Sequence, residues 1–163
     1  MNGKQVIKVA LDSTQQLLKW YVSDLSDADL LVRPVPGANH IAWQLGHLVE
    51  AEQMVKAALP SAKYPELPAG WSKVHSKEGA ATDPPKGFAT KAEYLDRFTA
   101  MRAATIAALD GLNDADLDKP TSGEMAKWAP TVGSLFVLTG NHTLMHAGQF
   151  TVVRRKLGKP ILF

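Results

Sequence analysis

Two histidines, His142 and His146, stand four residues apart in the run 141–149, inside a long stretch free of charge. Residues i and i+4 share a helix face one turn apart, so both imidazoles can reach one metal ion. A third histidine, His47, sits midway along another apolar helical run, 42–50. Two rings from one helix and one from a facing helix make a three-nitrogen site with an open position. A catalytic metal needs that opening for water or substrate. The pair alone is a weak signal, because i,i+4 histidines also occur as ordinary packing residues; His47 strengthens it. Glu50, three residues beyond His47, shares its face and is a candidate second-layer acceptor, fourth ligand or general base. Gln149, three beyond His146, is a candidate for orienting a bound water or substrate. His40 lies two turns, about 10 Å, before His47 and is too far to share an ion. It is expected at the helix start or pocket rim. His75 falls in a loop and is expected to be solvated. Trp43, one turn before His47, is expected in the core, where it can also wall a pocket.

Positioning these groups requires helices, and the pattern supplies four. Val6, Ala10, Leu17 and Tyr21, flanked by Ile7, Leu11, Leu18 and Val22, mark the first. The second starts after the Pro34–Gly37 breaker, with Asn39 as N-cap, and stops before Pro60. Its apolar positions are Ile41, Leu45, Leu48, Val55 and Leu59. The third opens with the capping box Thr90–Glu93 and carries Tyr94, Phe98, Met101, Thr105 and Leu109 at helical spacing. The fourth begins near Thr131 and ends at Gly158 followed by Pro160. No period-2 pattern predicts a strand. The turns 25–30 and 112–117 repeat Leu-x-Asp-Ala-Asp-Leu, each after one helix and before a histidine-bearing one. That repeat suggests two halves about a pseudo-twofold, with the second and fourth helices adjacent. Residues 60–89, with five prolines, form a long crossover loop that either covers a site or merely joins distant ends.

Composition narrows the function classes. The chain has 163 residues, 45% hydrophobic and 21% charged, which suits one domain spanning 1–163 with a sizeable core. Without cysteine there is no disulfide, no thiolate ligand and no internal thiol nucleophile. A net charge of +2 with no basic stripe gives no footprint for nucleic acid. Arg154, Arg155 and Lys156 instead fall in the last turn of the fourth helix, where cations complement the dipole. Val132–Val153 lacks charge but carries too many polar groups for lipid, so no membrane span is expected, and the N-terminus has no signal-peptide pattern. Cytoplasm is the expected compartment. A homodimer through apolar helix faces is plausible at this size, and the apolar end Ile161–Phe163 must pack somewhere.

The segments 39–47 and 142–150, the latter running into 154–158, together with the repeated turns and helix order, resemble the DinB/YfiT-like superfamily over nearly the whole chain. The resemblance implies an all-α four-helix bundle with a long crossover between helices 2 and 3. It implies divalent-metal ligation by His47, His142 and His146, with zinc or nickel as the metal. It further implies an enzyme acting on a small molecule, either a hydrolase or a transferase using a low-molecular-weight thiol; the lack of cysteine means that the thiol comes from a cosubstrate. The competing expectation is a non-enzymatic metal- or ligand-binding bundle. Ala147 departs from the family, whose members often carry a basic residue just after the last histidine. No substrate contact is inherited at that position.

Overall fold

The computed structural model describes residues 1–162. Its long helices are α1 (Gly3–Val22), α3 (Ile41–Ala51), α6 (Lys91–Asp110) and α7 (Val132–Lys156). Short turns α2 (Asp27–Leu30), α4 (Trp71–Val74) and α5 (Lys77–Ala80) lie between them. Three 3₁₀ segments, Glu52–Ala57, Asp114–Asp118 and Gly123–Lys127, complete the order. Among the described residues the only β feature is an isolated bridge between Pro120 and Thr131. The chain is therefore all-α.

Each long helix begins where local chemistry dictates. Asn2, Thr90 and Thr131 close capping boxes with Gln5, Glu93 and Ser134. At the start of α3 the cap is His40, not Asn39: the His40 Nδ1 accepts from the Trp43 amide at 3.1 Å. A neutral imidazole offers one lone pair, and here it does the work of an Asx oxygen. Asn39 contributes its backbone carbonyl instead, to the Gln44 side chain at 3.2 Å. α3 ends at Ala51 and continues towards Pro60 as the 3₁₀ segment, starting at the buried Glu52. α7 ends at Lys156, and the chain turns away at Gly158, whose φ of 66° favours a residue without Cβ.

The repeated turns fold alike. Ser26 and Asn113 each cap a short turn and receive a reciprocal bond from Asp29 or Asp116. Their first aspartates, Asp27 and Asp114, accept from the backbone amides of Lys91 and Lys4 at 2.6 and 3.3 Å. The two lysines then reach into the opposite helix end. Lys4 Nζ donates to the carbonyls of Asp110 and Leu112, and Lys91 Nζ to those of Val22, Ser23 and Leu25. A cation on orphan carbonyls at a helix C-terminus is favourable on both counts. α1 and α6 thus clamp one another reciprocally, as the pseudo-twofold predicts.

The core has two clusters. One joins Leu18, Val22, Ile41, Leu45, Val49, Trp71, Phe98 and Phe150; the other joins Ile7, Leu11, Val55, Leu109, Leu117 and Phe136. Val6 and Ala10, expected on the buried stripe, are exposed, because Ile7 and Leu11 turn the apolar face by one position. Between the clusters lies a buried ion pair. Arg102 gives Nε and Nη2 to the two Glu52 oxygens at 3.0 and 2.7 Å. Its remaining donors reach Leu11 O, Thr14 Oγ1 and Thr143 Oγ1 at 2.5, 2.9 and 2.9 Å. All five guanidinium N–H groups are used, and α1, the 3₁₀ continuation of α3, α6 and α7 are tied at one point.

α7 buries one face along its whole length, with Leu135, Phe136, Thr143, His146, Phe150 and Val153 all buried. Arg154 is also buried and does more than complement the dipole. Its Nη1 donates to Tyr21 O and Asp24 Oδ1, and its Nη2 to Asp24 Oδ2 and Pro160 O. Arg155 and Lys156 remain exposed. Leu162 packs on the core edge and Ile161 is exposed, while Phe163 lies outside the described residues. No described helix is long and apolar enough to cross a membrane.

Candidate metal centre

His47 on α3 and His142 and His146 on α7 converge on one point. The His47 and His142 Nε2 atoms are 3.3 Å apart, and those of His142 and His146 are 3.2 Å apart. One ligand atom from each ring lies within 4.8 Å of the others, and among the described residues no acid or further histidine joins the group. A tetrahedral ion with metal–nitrogen bonds of about 2.0–2.1 Å spaces its ligands about 3.3 Å apart. The two pairs that His142 makes therefore already stand at ligand spacing. His142 Nε2 faces two nitrogens at once, and a single N–H there can serve only one of them. A cation fits this donor set better than protons do.

Burial shapes the chemistry. It pushes His142 down to about 4, helped by the nearby His47, and His146 to about 3, helped by both partners. His47 is also lowered by burial, against the opposing charge of Glu50. All three rings are neutral at pH 7 and present lone pairs, the form that binds metal.

The surroundings fix the rings. Trp43 stacks on His47 with planes 5° apart and centroids at 5.1 Å, and its own Nε1 donates to Ser76 O at 2.8 Å. Trp43 is thus both core and wall. Gln44, buried, places Oε1 2.9 Å from His146 Nδ1. Glu50 accepts from Ser72 Oγ at 2.6 Å and is not one of the converging ligands, so it does not close the site. Gln149 is exposed on α7.

Residues 60–89 pack tightly beside the site. Trp71 is buried and donates from Nε1 to Gly46 O at 3.1 Å. His75, expected in solvent, is only 4% exposed. Its ring lies where a Gly46 side chain would be: a Cβ on Gly46 would come within 2.0 Å of it. His75 Nδ1 bonds Trp71 O and Nε2 bonds Tyr94 OH, both at 2.9 Å. The carbonyl can only accept, so Nδ1 carries the proton and the tyrosine donates to Nε2. The Tyr94 oxygen in turn accepts from Ala89 N at 3.1 Å. His40 is wholly buried, edge-on to Phe88 at 4.4 Å, and shares no ion with His47. The segment is a strap on α3, held by Trp71 and His75. The sequence signal for it was Gly46 itself, a glycine in a helix next to His47.

Comparison with known proteins agrees with this architecture. No curated protein matches the chain. Among solved structures, the crystal structure of a conserved protein from Enterococcus faecalis is similar at a TM-score of 0.72 and 20% identity, covering 98% of this chain and 99% of that one. That likeness concerns the fold. The family model of the DinB superfamily matches residues 10–150, a span that contains all three converging histidines and both repeated turns, and the chain belongs to that superfamily.

Proposed function

We propose that the protein is a divalent-metal-dependent enzyme acting on a small molecule, either a hydrolase or a transferase using a low-molecular-weight thiol. The observation that carries this reading is the convergence of three neutral imidazoles with no acidic side chain closing the fourth position. Imidazole nitrogens suit zinc, nickel, copper and iron, and of these the family resemblance implies zinc or nickel. Such an ion supplies Lewis-acid activation of a water or thiol nucleophile at neutral pH. The chain's own part is to hold three rings in neutral form, exclude water behind them with Trp43 and Trp71, and handle protons near His47. Glu50 is the carboxylate whose charge acts on His47, and we assign it that last task. Gln149 is assigned to substrate contact from the exposed side of α7.

Metal content by elemental mass spectrometry tests the reading. Near one transition metal per chain is expected in the parent, and none in a His142→Ala/His146→Ala variant of unchanged helicity. A metal-loaded Glu50→Gln variant is expected to lose turnover in a screen of thiols and esters. A parent that neither carries metal nor takes up added zinc or nickel would sink the proposal. Unfolding on chelation would make the metal structural instead.

Pairing of two copies belongs to the same proposal. Val137, Leu144, Met145 and Val152 are each at least 43% exposed on α7, which carries no charge from Val132 to Val153. Sedimentation velocity is expected to show a dimer that Leu144→Glu/Met145→Glu dissociates; a monomeric parent removes this part of the reading.

A further inference from the structure

We infer that Gln44 is a positioning residue that sets the tautomer of His146 and thereby makes its Nε2 a ligand. The inference rests on the metal reading of the three histidines, but its central claim holds for the metal-free protein. Gln44 is 1% exposed, one helix turn before His47 on α3. Its amide cannot face either way. Nε2 donates to Asn39 O at 3.2 Å, and a carbonyl can only accept, so the NH₂ end belongs there. Oε1 is left to meet His146 Nδ1 at 2.9 Å. An amide oxygen only accepts, so Nδ1 must carry the imidazole proton. The neutral ring then has its lone pair on Nε2, the atom 3.2 Å from His142 Nε2.

The start of α3 thus braces a side chain that dictates which nitrogen of an α7 histidine is free. Without the brace, a buried neutral imidazole is free to place its proton on Nε2 and block the site. Gln44 does this as a neutral group. It adds no negative charge beside the three imidazoles, so a divalent ion there keeps its full electrophilicity, unlike one whose histidine is backed by a carboxylate. The same bond joins α3 to α7, the two helices that supply the ligands.

The test uses the parent, Gln44→Met, which keeps the side-chain volume without an acceptor, and Gln44→Glu, which restores one. Imidazole ¹⁵N–¹H spectra of metal-free protein report the tautomer, and competitive zinc titration reports affinity. In the parent, His146 is expected as a single Nδ1–H tautomer. Gln44→Met is expected to populate the Nε2–H form and weaken zinc binding roughly 10–100-fold, the usual effect of losing such a partner. Gln44→Glu should recover the tautomer and bind zinc at least as tightly as the parent. A folded Gln44→Met protein with the parent's tautomer and affinity overturns the inference, as does an Nε2–H tautomer in the parent. A parent that takes up neither zinc nor nickel overturns the metal reading instead, while the metal-free spectrum still decides the role of Gln44.

Discussion

Arg102→Met is expected to destabilise the protein by about 3–5 kcal/mol, the usual result of removing one partner of a buried ion pair. For a domain of this size that lowers the melting temperature by roughly 10 °C. The reason lies in what remains. Arg102 is fully buried and Glu52 is 2% exposed, so the orphaned carboxylate has no water to turn to. It would keep only the Thr105 hydroxyl, at 2.7 Å. Glu52→Leu should cost a comparable amount, since it strands a guanidinium in the same place. The double variant behaves differently. Thr14 and Thr143 retain backbone acceptors at Leu11 and Thr139, and Thr105 retains Tyr64 OH at 3.0 Å. No hydroxyl is left alone, and replacing both charges with apolar groups is often close to neutral. Thermal unfolding of the two single variants and the double should therefore give a coupling of several kcal/mol. A double variant as unstable as the sum of the singles would refute the account.

This ion pair also shows what the sequence made legible and what it hid. Helices, the Thr90 and Gly158 caps and the histidine cluster could be read because each rests on short-range rules: i,i+4 spacing, a hydroxyl three residues before a partner, a glycine past a helix end; the cap of α3 was not, since His40 takes the place expected of Asn39. The pseudo-twofold was legible by the same rules, and Lys4 and Lys91 confirm it with equivalent bonds at opposite ends. Glu52 and Arg102 were not, because a charged residue on an apolar face becomes a core residue only when another element brings its partner. Retrospectively, Arg102 one turn past Phe98 and Glu52 one turn past Leu48 were the signal. His75 failed similarly. Proline-rich sequence said loop, and a loop histidine is usually solvated; that Gly46 opens a slot for this ring depends on tertiary structure. Gln44 was hidden in an apolar run, where a glutamine reads as incidental until His146 is seen opposite.

Metal-free protein should lose stability steadily as pH falls from about 6.5 to about 4, and His40 should carry a measurable share of that loss. Burial pushes the His40 pKa from 6.5 to about 4, with the charge of Arg33 and the proximity of His75 acting in the same direction. The sign follows from proton counting. Above 6.5 neither state of the chain holds the proton, and His40 contributes nothing to the pH dependence. Between 6.5 and 4 the unfolded chain binds a proton that the folded one refuses, so acid favours unfolding. Below about 4 both states are protonated and the slope from His40 vanishes. Integrated over the window, a shift of this size amounts to roughly 3 kcal/mol. Protonation would also take the Nδ1 lone pair that caps α3 at Trp43, and would place a cation at a helix N-terminus. His75, His47, His142 and His146 are lowered too and add slopes of the same sign. His40→Asn separates the contributions, because asparagine can cap a helix without titrating. Urea unfolding at intervals from pH 7 to pH 4 should give a visibly shallower decline for His40→Asn than for the parent. Parallel declines would mean that His40 is not the buried neutral cap of the helix that carries His47.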